Sequence, residues 1–219
     1  MTDNKNISRV FLPEPTLRRF PWYLAYVSML RSHDVEYVSS TQISKELNVD
    51  ASQIAKDLSY LNIKGKTRIG YEVSLLEREL QDFLGFKKVH NAVIIGVGSL
   101  GAALIHDSGL SNYGLNIVAG FDVNPKIVGT SICNVPIYNI TELKNQRKEY
   151  KAEIGIVAVP VDKAQEVADK MIDAGIKAIW NFTPVRIRAA EGIIIQDTSI
   201  YSHLAVMYNR LGSQKQQTR

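Results

Sequence analysis

The sequence of 219 residues predicts an N-terminal winged helix-turn-helix module followed by a doubly wound, parallel α/β domain. Two observations predict this order. As far as residue 85 the chain is polar-rich with helical patterning, and after residue 91 short apolar, β-branched runs alternate with helix-length segments. We therefore expect one domain over residues 1–85 and a second over residues 86–198, with a C-terminal segment beyond it.

The composition excludes several classes of protein. Hydrophobic residues make up 45% of the chain and charged residues 22%, which is typical of globular rather than disordered proteins. No apolar run approaches the roughly 20 residues that span a bilayer, and the polar residues 1–6 do not form a signal peptide. A single cysteine, Cys133, cannot form an internal disulfide, which fits a cytoplasmic location. The net charge of +4 permits a polyanionic partner but does not require one.

Two capping boxes predict the helix-turn-helix. Ser39 and Gln42 open a short helix through Leu47, and Asp50 and Gln53 open a second helix through Leu61. The second helix has an apolar stripe at helical spacing, with polar side chains on the opposite face. Two short helices around a tight turn are typical of this DNA-binding motif.

A basic segment at residues 64–71 follows directly and favours DNA as the partner. Two glycines and three cations at alternating positions are typical of a small β-hairpin wing that lies along a DNA backbone. The alternative is a pair of ordinary capped helices beside a solvated hairpin. The candidate DNA-contacting residues are Ser39, Ser40, Ser52, Gln53, Lys56, Ser59, Lys64, Lys66 and Arg68.

Apolar runs of buried-strand type predict the α/β domain. They cover residues 92–96, 116–121, 154–159, 178–180 and 192–195. Helix-length segments such as residues 163–174 lie between several of them. Strands that alternate with helices imply a parallel sheet covered on both faces.

The first of these strands leads into a glycine-rich string, Gly96 to Gly101, that opens a helix. In such a string the first glycine allows a tight turn, the second lets backbone approach a pyrophosphate, and the third allows the helix to pack closely on the sheet. Asp122 ends the next strand, 21 residues beyond Gly101, where a carboxylate binds both ribose hydroxyls and favours NAD(H) over NADP(H). The string and the acid predict a Rossmann-type NAD(H) site formed by Gly96, Val97, Gly98, Ser99, Leu100, Gly101 and Asp122.

No catalytic or metal-ligand pattern accompanies this site. A dehydrogenase needs an acid–base group against its substrate, and His33, His90, His106 and His203 lie in no recognisable catalytic string. The α/β section of about 130 residues suffices for a nucleotide-binding fold and little more. We therefore expect a binder of NAD(H) and not an enzyme. A small NAD-dependent oxidoreductase and a CoA- or other nucleotide-binding module are the alternatives.

The combination resembles the bacterial redox-sensing transcriptional repressors of the Rex family over essentially the whole chain. The resemblance rests on the recognition-helix string 53–60, the wing glycines with their neighbours, the glycine-rich string, and the strings at 121–125, 159–160, 164–168, 175–177 and 181–184. It implies that Val159, Pro160, Asn181, Phe182 and Pro184 also bind the cofactor.

The resemblance further implies a homodimer that binds palindromic, double-stranded operator DNA. NADH would close the nucleotide domains and move the recognition helices off their one-turn spacing, whereas NAD⁺ would favour the DNA-bound form. A helix at residues 199–212 would cross into the partner, and residues 213–219 would form a disordered tail.

Some positions differ from the family pattern, and two of them belong to the family's polar network near the nicotinamide. The resemblance makes Arg19, Asp107 and Ser199 the candidates for the switch, with Asp107 and Ser199 standing where the family has Tyr and Asp. Further differences occur at Ala55, Ser99 and Trp180. These differences suggest a divergent paralogue that binds NAD(H) and DNA but senses redox state weakly or through other contacts.

Overall fold

A computed structural model describes residues 12–217, with side chains as far as residue 213. The chain separates into two compact units, one ending at Lys87 and the other beginning at Lys88. The winged helix-turn-helix followed by a doubly wound α/β domain is confirmed, and the units divide two residues later than the sequence predicts.

The first unit is mainly helical and has a small two-stranded sheet. Its elements are α1 (Glu14–Ser32), β1 (Tyr37–Val38), α2 (Ser40–Leu47), α3 (Ala51–Leu58), β2 (Tyr71–Glu72) and α4 (Val73–Leu84). The core contains Phe20, Ile43, Ile54 and Leu76, none of which has any exposed surface. Helix α3 therefore buries the apolar stripe that the sequence predicts, although it ends at Leu58 instead of Leu61.

The wing is built by two backbone pairings. Strands β1 and β2 are antiparallel, and Lys66 and Gly70 form an isolated bridge around the turn of residues 67–69. Arg68 lies within this turn at a φ of +65°. The three cations of the predicted wing therefore do not share one strand face, because the chain reverses between Lys66 and Gly70.

The second unit contains a seven-stranded sheet and five α-helices among the described residues. The elements are β3 (His90–Ile95), α5 (Ser99–His106), α6 (Gly109–Asn112), β4 (Leu115–Asp122), β5 (Ser131–Ile132), β6 (Val135–Asn139), α7 (Leu143–Glu149), β7 (Ile154–Val157), α8 (Ala164–Asp173), β8 (Ala178–Asn181), β9 (Ile194–Asp197) and α9 (Ile200–Gln217). Short 3-10 segments at Ile140–Glu142 and Val161–Lys163 precede α7 and α8.

The sheet has the order β5-β6-β4-β3-β7-β8-β9. All neighbours pair in parallel except the edge strand β5, which is antiparallel to β6. The chain proceeds from β3 to β4 on one side and later to β7 on the other. The order of strands therefore reverses between β3 and β7, which is where ligands bind in doubly wound folds.

Two features of the second unit differ from the sequence prediction. The hairpin β5–β6 turns through Cys133 and Asn134, whose φ values are +48° and +66°, and strands as short as β5 carry too little pattern to detect. Helix α9 continues to Gln217, so residues 213–217 are helical where a disordered tail is expected. They contain no proline, and Gln and Lys are favourable helix formers. Residues 218–219 of the predicted tail, like residues 1–11, lie outside the described residues.

None of the helices within residues 12–217 has the length and apolar character required to cross a membrane.

The wing turn makes a prediction about stability. Gly70 has a φ of +112°, and a Cβ there would lie 2.4 Å from the carbonyl oxygen of Val38. We expect Gly70→Ala to lower the free energy of unfolding of the first unit by about 3 kcal/mol, because it adds a backbone clash to an unfavourable φ. Chemical denaturation followed by the fluorescence of Trp22, in a Trp180→Phe background, measures this unit by itself.

Gly85 provides a matched control for this substitution. It has a φ of +74°, but a Cβ added there would meet no atom within 4 Å, so Gly85→Ala carries only the conformational cost of about 1 kcal/mol. Equal losses for the two variants would show that the Val38 contact does not restrict Gly70.

Candidate functional sites

The glycine-rich string joins β3 to α5, and its three glycines face different surroundings. Gly96 has a φ of +92°, and a Cβ there would lie 2.4 Å from the carbonyl oxygen of Ala158. A Cβ on Gly101 would lie 2.0 Å from the carbonyl oxygen of Gly96. A Cβ on Gly98 would meet no atom within 4 Å. The protein itself thus requires the first and third glycines, whereas the space at the second is open.

Asp122 ends β4 and is hydrogen-bonded to this string. Its Oδ2 accepts a hydrogen bond from the backbone N–H of Val97 at 2.8 Å. Its Oδ1 accepts from the N–H groups of Val123 and Asn124 at 2.7 and 2.9 Å. The half-buried carboxylate is therefore held at the carboxyl edge of the sheet, next to the string that opens α5.

The residues around Gly98 fit a dinucleotide. Gly98 is the N-cap of α5, and no side chain caps the helix there, so its first N–H groups are available to an anion. Ser99 and Leu100 are exposed in the first turn, whereas Val97 is buried. A pyrophosphate at Gly98 would leave Asp122 to receive a ribose, because the two lie at the ends of neighbouring strands.

The other predicted cofactor residues follow β7 and β8, on the opposite side of β3 from Asp122. Val159 and Phe182 are half-buried, and Pro160 and Pro184 are exposed at the same edge of the sheet. The ring centroids of Phe182 and Trp180 are 4.6 Å apart. The predicted cofactor residues thus gather at the carboxyl ends of four adjacent strands.

The side chain of Asn181 is directed into the protein. It is fully buried, and its amide nitrogen donates to the carbonyl oxygen of Val185 and to Asp197 at 2.7 and 2.8 Å. Its oxygen accepts from the backbone N–H and the hydroxyl of Thr183 at 3.0 and 2.7 Å. Asn181 therefore supports the chain after β8, and its side-chain groups are already hydrogen-bonded within the protein.

In the first unit, the capping box of α2 is confirmed and that of α3 is not. Ser39 accepts a hydrogen bond from the N–H of Gln42, and the Gln42 side chain accepts one from the N–H of Ser39. Asp50 accepts from the N–H groups of Ser52 and Gln53, but Gln53 does not return to Asp50. The Gln53 amide instead donates to Asp57 at 2.8 Å.

Asp57 is a fully buried carboxylate at the centre of the first unit. It accepts two hydrogen bonds from Arg19 at 2.6 and 2.8 Å, one from Tyr23 at 2.7 Å, one from Thr16 at 3.1 Å, and one from Gln53. Three of these four residues lie on α1, so the carboxylate joins α1 to α3. The sequence patterns did not lead us to this role, although an acid between Ile54 and Leu58 on a buried stripe is a signal for it.

The charge on Asp57 is stabilised despite its burial. Desolvation raises its pKa, but the hydrogen bonds from Arg19, Tyr23, Gln53 and Thr16 together lower the pKa below its ordinary value. Burial, and then the bond to Asp57, raise the pKa of Tyr23, so its hydroxyl remains a donor. Asp57 and the partly exposed Arg19 therefore form an ion pair joined by two hydrogen bonds.

The remaining candidate DNA residues lie on the outer surface of α2, α3 and the wing. Ser52 and Lys56 lie on the outward side of α3, and Ser59 at its C-cap donates to the carbonyl oxygen of Lys56 at 2.6 Å. Ser40 is half-buried in the first turn of α2, and Lys64 is exposed before the wing.

Within the wing, Tyr37 supports Lys66. The Lys66 ammonium donates to the Tyr37 hydroxyl and lies 4.6 Å from the centre of its ring. The hydrogen bond to Tyr37 raises the pKa of Lys66, so this cation is held in place and charged. Arg68 is exposed in the adjoining turn.

Each of the three switch candidates is hydrogen-bonded within its own unit. Arg19 binds Asp57, as described above. Asp107 accepts from the N–H of Gly109 at 2.7 Å after α5, and Ser199 accepts from the N–H of Ser202 at 3.2 Å at the start of α9. Asp107 and Ser199 thus stabilise a turn and a helix start within the second unit.

Outside these sites, two histidines contact neighbouring polar groups. The sulfur of the exposed Cys133 lies 3.0 Å from Nδ1 of His106, and Nδ1 of His203 lies 2.9 Å from the carbonyl oxygen of Ser199. Among the described side chains, no group of three or more His, Cys, Asp or Glu could hold a metal ion.

Comparison with known proteins matches both units. A family model described as "CoA binding domain" matches residues 87–185, and one described as "Putative DNA-binding protein N-terminus" matches residues 12–59. The redox-sensing transcriptional repressor Rex of Bacteroides thetaiotaomicron is 55% identical over 214 residues, which is 96% of this chain and 97% of the relative. The repressor of the same name from Bacteroides fragilis is 58% identical over 200 residues, 91% of each.

Solved structures of one repressor extend this similarity to the whole fold. The crystal structure of RSP, a Rex-family repressor, has a TM-score of 0.86 and 32% identity, covering 95% of this chain and 99% of that one. RSP in complex with β-NAD⁺ and operator DNA has a TM-score of 0.89 at the same identity, covering 95% and 96% of the two chains. RSP in complex with β-NADH has a TM-score of 0.86, covering 95% and 98%.

The Asp57 network predicts how a single hydroxyl affects stability. Tyr23→Phe removes one donor to a buried charge and should lower the free energy of unfolding of the first unit by about 2 kcal/mol. Tyr26, on the same helix, is the control, and Tyr26→Phe should change it by less than about 0.5 kcal/mol. Because the folded pKa of Asp57 lies below its unfolded value, its stabilisation is present above the unfolded pKa and is lost as the pH falls through the folded pKa.

Tyr23→Phe should therefore also move the acid-unfolding midpoint to higher pH, since fewer donors hold the Asp57 pKa down. Urea denaturation at a series of pH values measures both effects. An unchanged acid-unfolding midpoint in Tyr23→Phe would contradict the role given to Asp57.

Proposed function

The chain belongs to the Rex family of redox-sensing transcriptional repressors, and we propose that it binds operator DNA through its first unit and NAD(H) through its second. Dinucleotide binding modulates its affinity for the operator. The structures of RSP with operator DNA and β-NAD⁺, and of RSP with β-NADH, support this proposal. A ligand shifts such an equilibrium only by the difference in its affinity for the two states.

The observation that carries the nucleotide assignment is the open space at Gly98. The fold explains Gly96 and Gly101, because a Cβ on either would clash with backbone. At Gly98, whose φ of −74° and ψ of −162° suit other residues as well, no contact within the described chain excludes a Cβ. A pyrophosphate that approaches the backbone at this point does explain the glycine.

Asp122 favours NAD(H) over the other nucleotides considered. Its carboxylate would accept hydrogen bonds from an unmodified ribose diol. It would repel the 2′-phosphate of NADP(H), or the 3′-phosphate of CoA, at the same place. The match of residues 87–185 to a CoA-binding model is consistent with the shared glycine-rich loop and does not alter this preference.

On the DNA side, α3 and the wing supply the contacts. Ser52, Lys56 and the wing cations Lys66 and Arg68 lie on the outer surface of these elements. Gln53 is hydrogen-bonded to Asp57, and we therefore assign it to support of the recognition helix instead of base recognition. The Ser52 hydroxyl donates to Asp50, so base discrimination depends on outward side chains such as Lys56.

We further propose that the protein is a homodimer joined through α9. One face of this helix carries four apolar residues at helical spacing, Ile200, Leu204, Met207 and Leu211. The side chains of Ile200, Met207 and Leu211 are 54%, 48% and 52% exposed. A second copy that covers this face would double the DNA contacts on a palindromic operator. Analytical ultracentrifugation measures the oligomeric state, and a protein that sediments as a monomer would contradict this assignment.

The redox response and the absence of catalysis are parts of the same proposal. RSP holds operator DNA together with β-NAD⁺, which supports NAD⁺ as the ligand compatible with repression and NADH as the releasing ligand. Because Asp107 and Ser199 are engaged in local caps, other contacts would distinguish the two oxidation states. We assign no enzymatic activity, and we place the protein with its DNA partner in the cytoplasm.

The cofactor site makes a prediction that separates binding from folding. Gly98→Ala should lower NADH affinity at least tenfold, because the new methyl group would occupy space next to the pyrophosphate, while the free energy of unfolding stays within about 0.5 kcal/mol. Gly101→Ala should lower both the NADH affinity and the free energy of unfolding, because its Cβ would lie 2.0 Å from the Gly96 carbonyl oxygen. Calorimetric titration with NADH and urea denaturation measure the two quantities, and normal NADH binding by Gly98→Ala would refute the assignment.

The DNA surface is tested by the dependence of binding on salt. Lys66→Ala should weaken binding to every duplex and reduce the slope of log affinity against log salt by about 1, since one phosphate contact is lost. Lys144→Ala removes the same charge from α7 in the other unit and should leave the slope unchanged. Fluorescence anisotropy with a palindromic duplex selected from a random pool measures the slope. Identical slopes for the two variants would show that the wing does not contact DNA.

A further inference from the structure

The connection between β8 and β9 is an irregular crossover. These strands are parallel neighbours, and parallel strands are usually joined by a helix that packs on the sheet. Residues 182–193 join them here, and residues 186–190 belong to no helix or strand. The conformation of this crossover therefore depends on side chains that bind its backbone.

One group of anchors holds the first half of the crossover. Asn181 binds the backbone of Thr183 and Val185 through the hydrogen bonds described above. Ile187 is 8% exposed and packs into the same apolar cluster as Val167 and Ala168 of α8. The crossover thus lies against α8 near its middle.

Gln165 holds the second half. Its amide nitrogen donates to the carbonyl oxygen of Arg188 at 2.8 Å, and its amide oxygen accepts from the backbone N–H of Arg188 at 2.9 Å. The same nitrogen also contacts Asp169 at 2.9 Å. A side-chain amide that pairs with both backbone groups of one residue imitates a strand pairing, in a segment where no strand supplies one.

The position of Gln165 connects this pairing with the nucleotide site. Gln165 lies in the first turn of α8, which follows β7, and the crossover begins at the carboxyl end of β8. Both strands lie on the side of β3 opposite to β4, which ends in Asp122. We place the adenosine ribose of the dinucleotide at Asp122 and its pyrophosphate at Gly98. The nicotinamide half then extends toward β7 and β8.

We propose that Gln165 is a positioning residue for the nicotinamide half of the dinucleotide. By binding Arg188 it fixes the crossover of residues 182–193, and the crossover in turn sets where this half of the ligand lies. The proposal rests on NAD(H) as the ligand. Gln165 does not touch the cofactor in this role. It keeps Phe182 and Pro184, at the start of the crossover, in the arrangement that the second half of the ligand meets.

The first experiment compares NADH with ADP, which contains only the adenosine and diphosphate half. In Gln165→Ala we expect NADH affinity to fall about tenfold and ADP affinity to stay within twofold of the unaltered protein. Glu166→Ala is the matched control, because Glu166 lies beside Gln165 on α8 and pairs with Lys170 at 2.8 Å without binding the crossover. We expect neither affinity to change in this control.

The second experiment needs no ligand. Trypsin cleaves after Arg186 and Arg188, both of which are exposed and lie within the crossover. In Gln165→Ala we expect cleavage at these two bonds to become about tenfold faster, because local opening of the segment becomes more frequent. Cleavage after Lys170 on α8 should keep its rate, which shows that the unit as a whole remains folded.

Each result decides between distinct conclusions. An unchanged NADH affinity in Gln165→Ala, or an unchanged cleavage rate at Arg186 and Arg188, would overturn the positioning role. Equal losses of NADH and ADP affinity would also overturn it, since they indicate a general loss of structure. If the unaltered protein bound neither NADH nor ADP, the proposed function itself would be wrong.

Discussion

The close approach of backbone at the carboxyl edge of the sheet is the constraint on which the second unit depends. Gly101 lies against the carbonyl oxygen of Gly96, Gly96 lies against that of Ala158, and Val97 donates to Asp122. The carboxyl ends of three adjacent strands are thereby held together by close backbone contacts and by the Asp122 carboxylate. Because the two glycine contacts admit no Cβ, the first turn of α5 is placed reproducibly beside the open space at Gly98.

A buried charge has the corresponding role in the first unit. The Asp57 carboxylate receives five hydrogen bonds, four of them from α1, and it could not be buried at low cost with fewer. The recognition helix is thus attached to α1 by polar groups as well as by its apolar stripe. This arrangement also fixes the surface that faces outward, because Gln53 is drawn toward the carboxylate and Ser52 and Lys56 are left on the outer side.

In both units a side chain that resembles a ligand-binding group serves to support a functional element. Gln53, Asn181 and Gln165 are amides within strings typical of the family, and each binds its own chain. Amides suit this task because they donate and accept at once, so they can replace missing backbone pairings in turns and crossovers. The surfaces that remain for DNA and for the dinucleotide are correspondingly made of backbone, small residues and a few charges.

Local patterns in the sequence determined the order of domains, the helix-turn-helix, the glycine-rich string and Asp122, because capping, strand periodicity and tight turns involve residues close together in the chain. Only the tertiary structure decided that Gln53 turns inward and that Asn181 is internal. The reason is that distant groups decide these positions: Arg19, 38 positions from Asp57, holds the carboxylate that Gln53 binds, and Asp197, 16 positions from Asn181, accepts from its amide. Gln165 and Arg188 are likewise 23 positions apart. Which hydrogen bond a polar side chain makes depends on groups that folding brings beside it, and no local pattern records them.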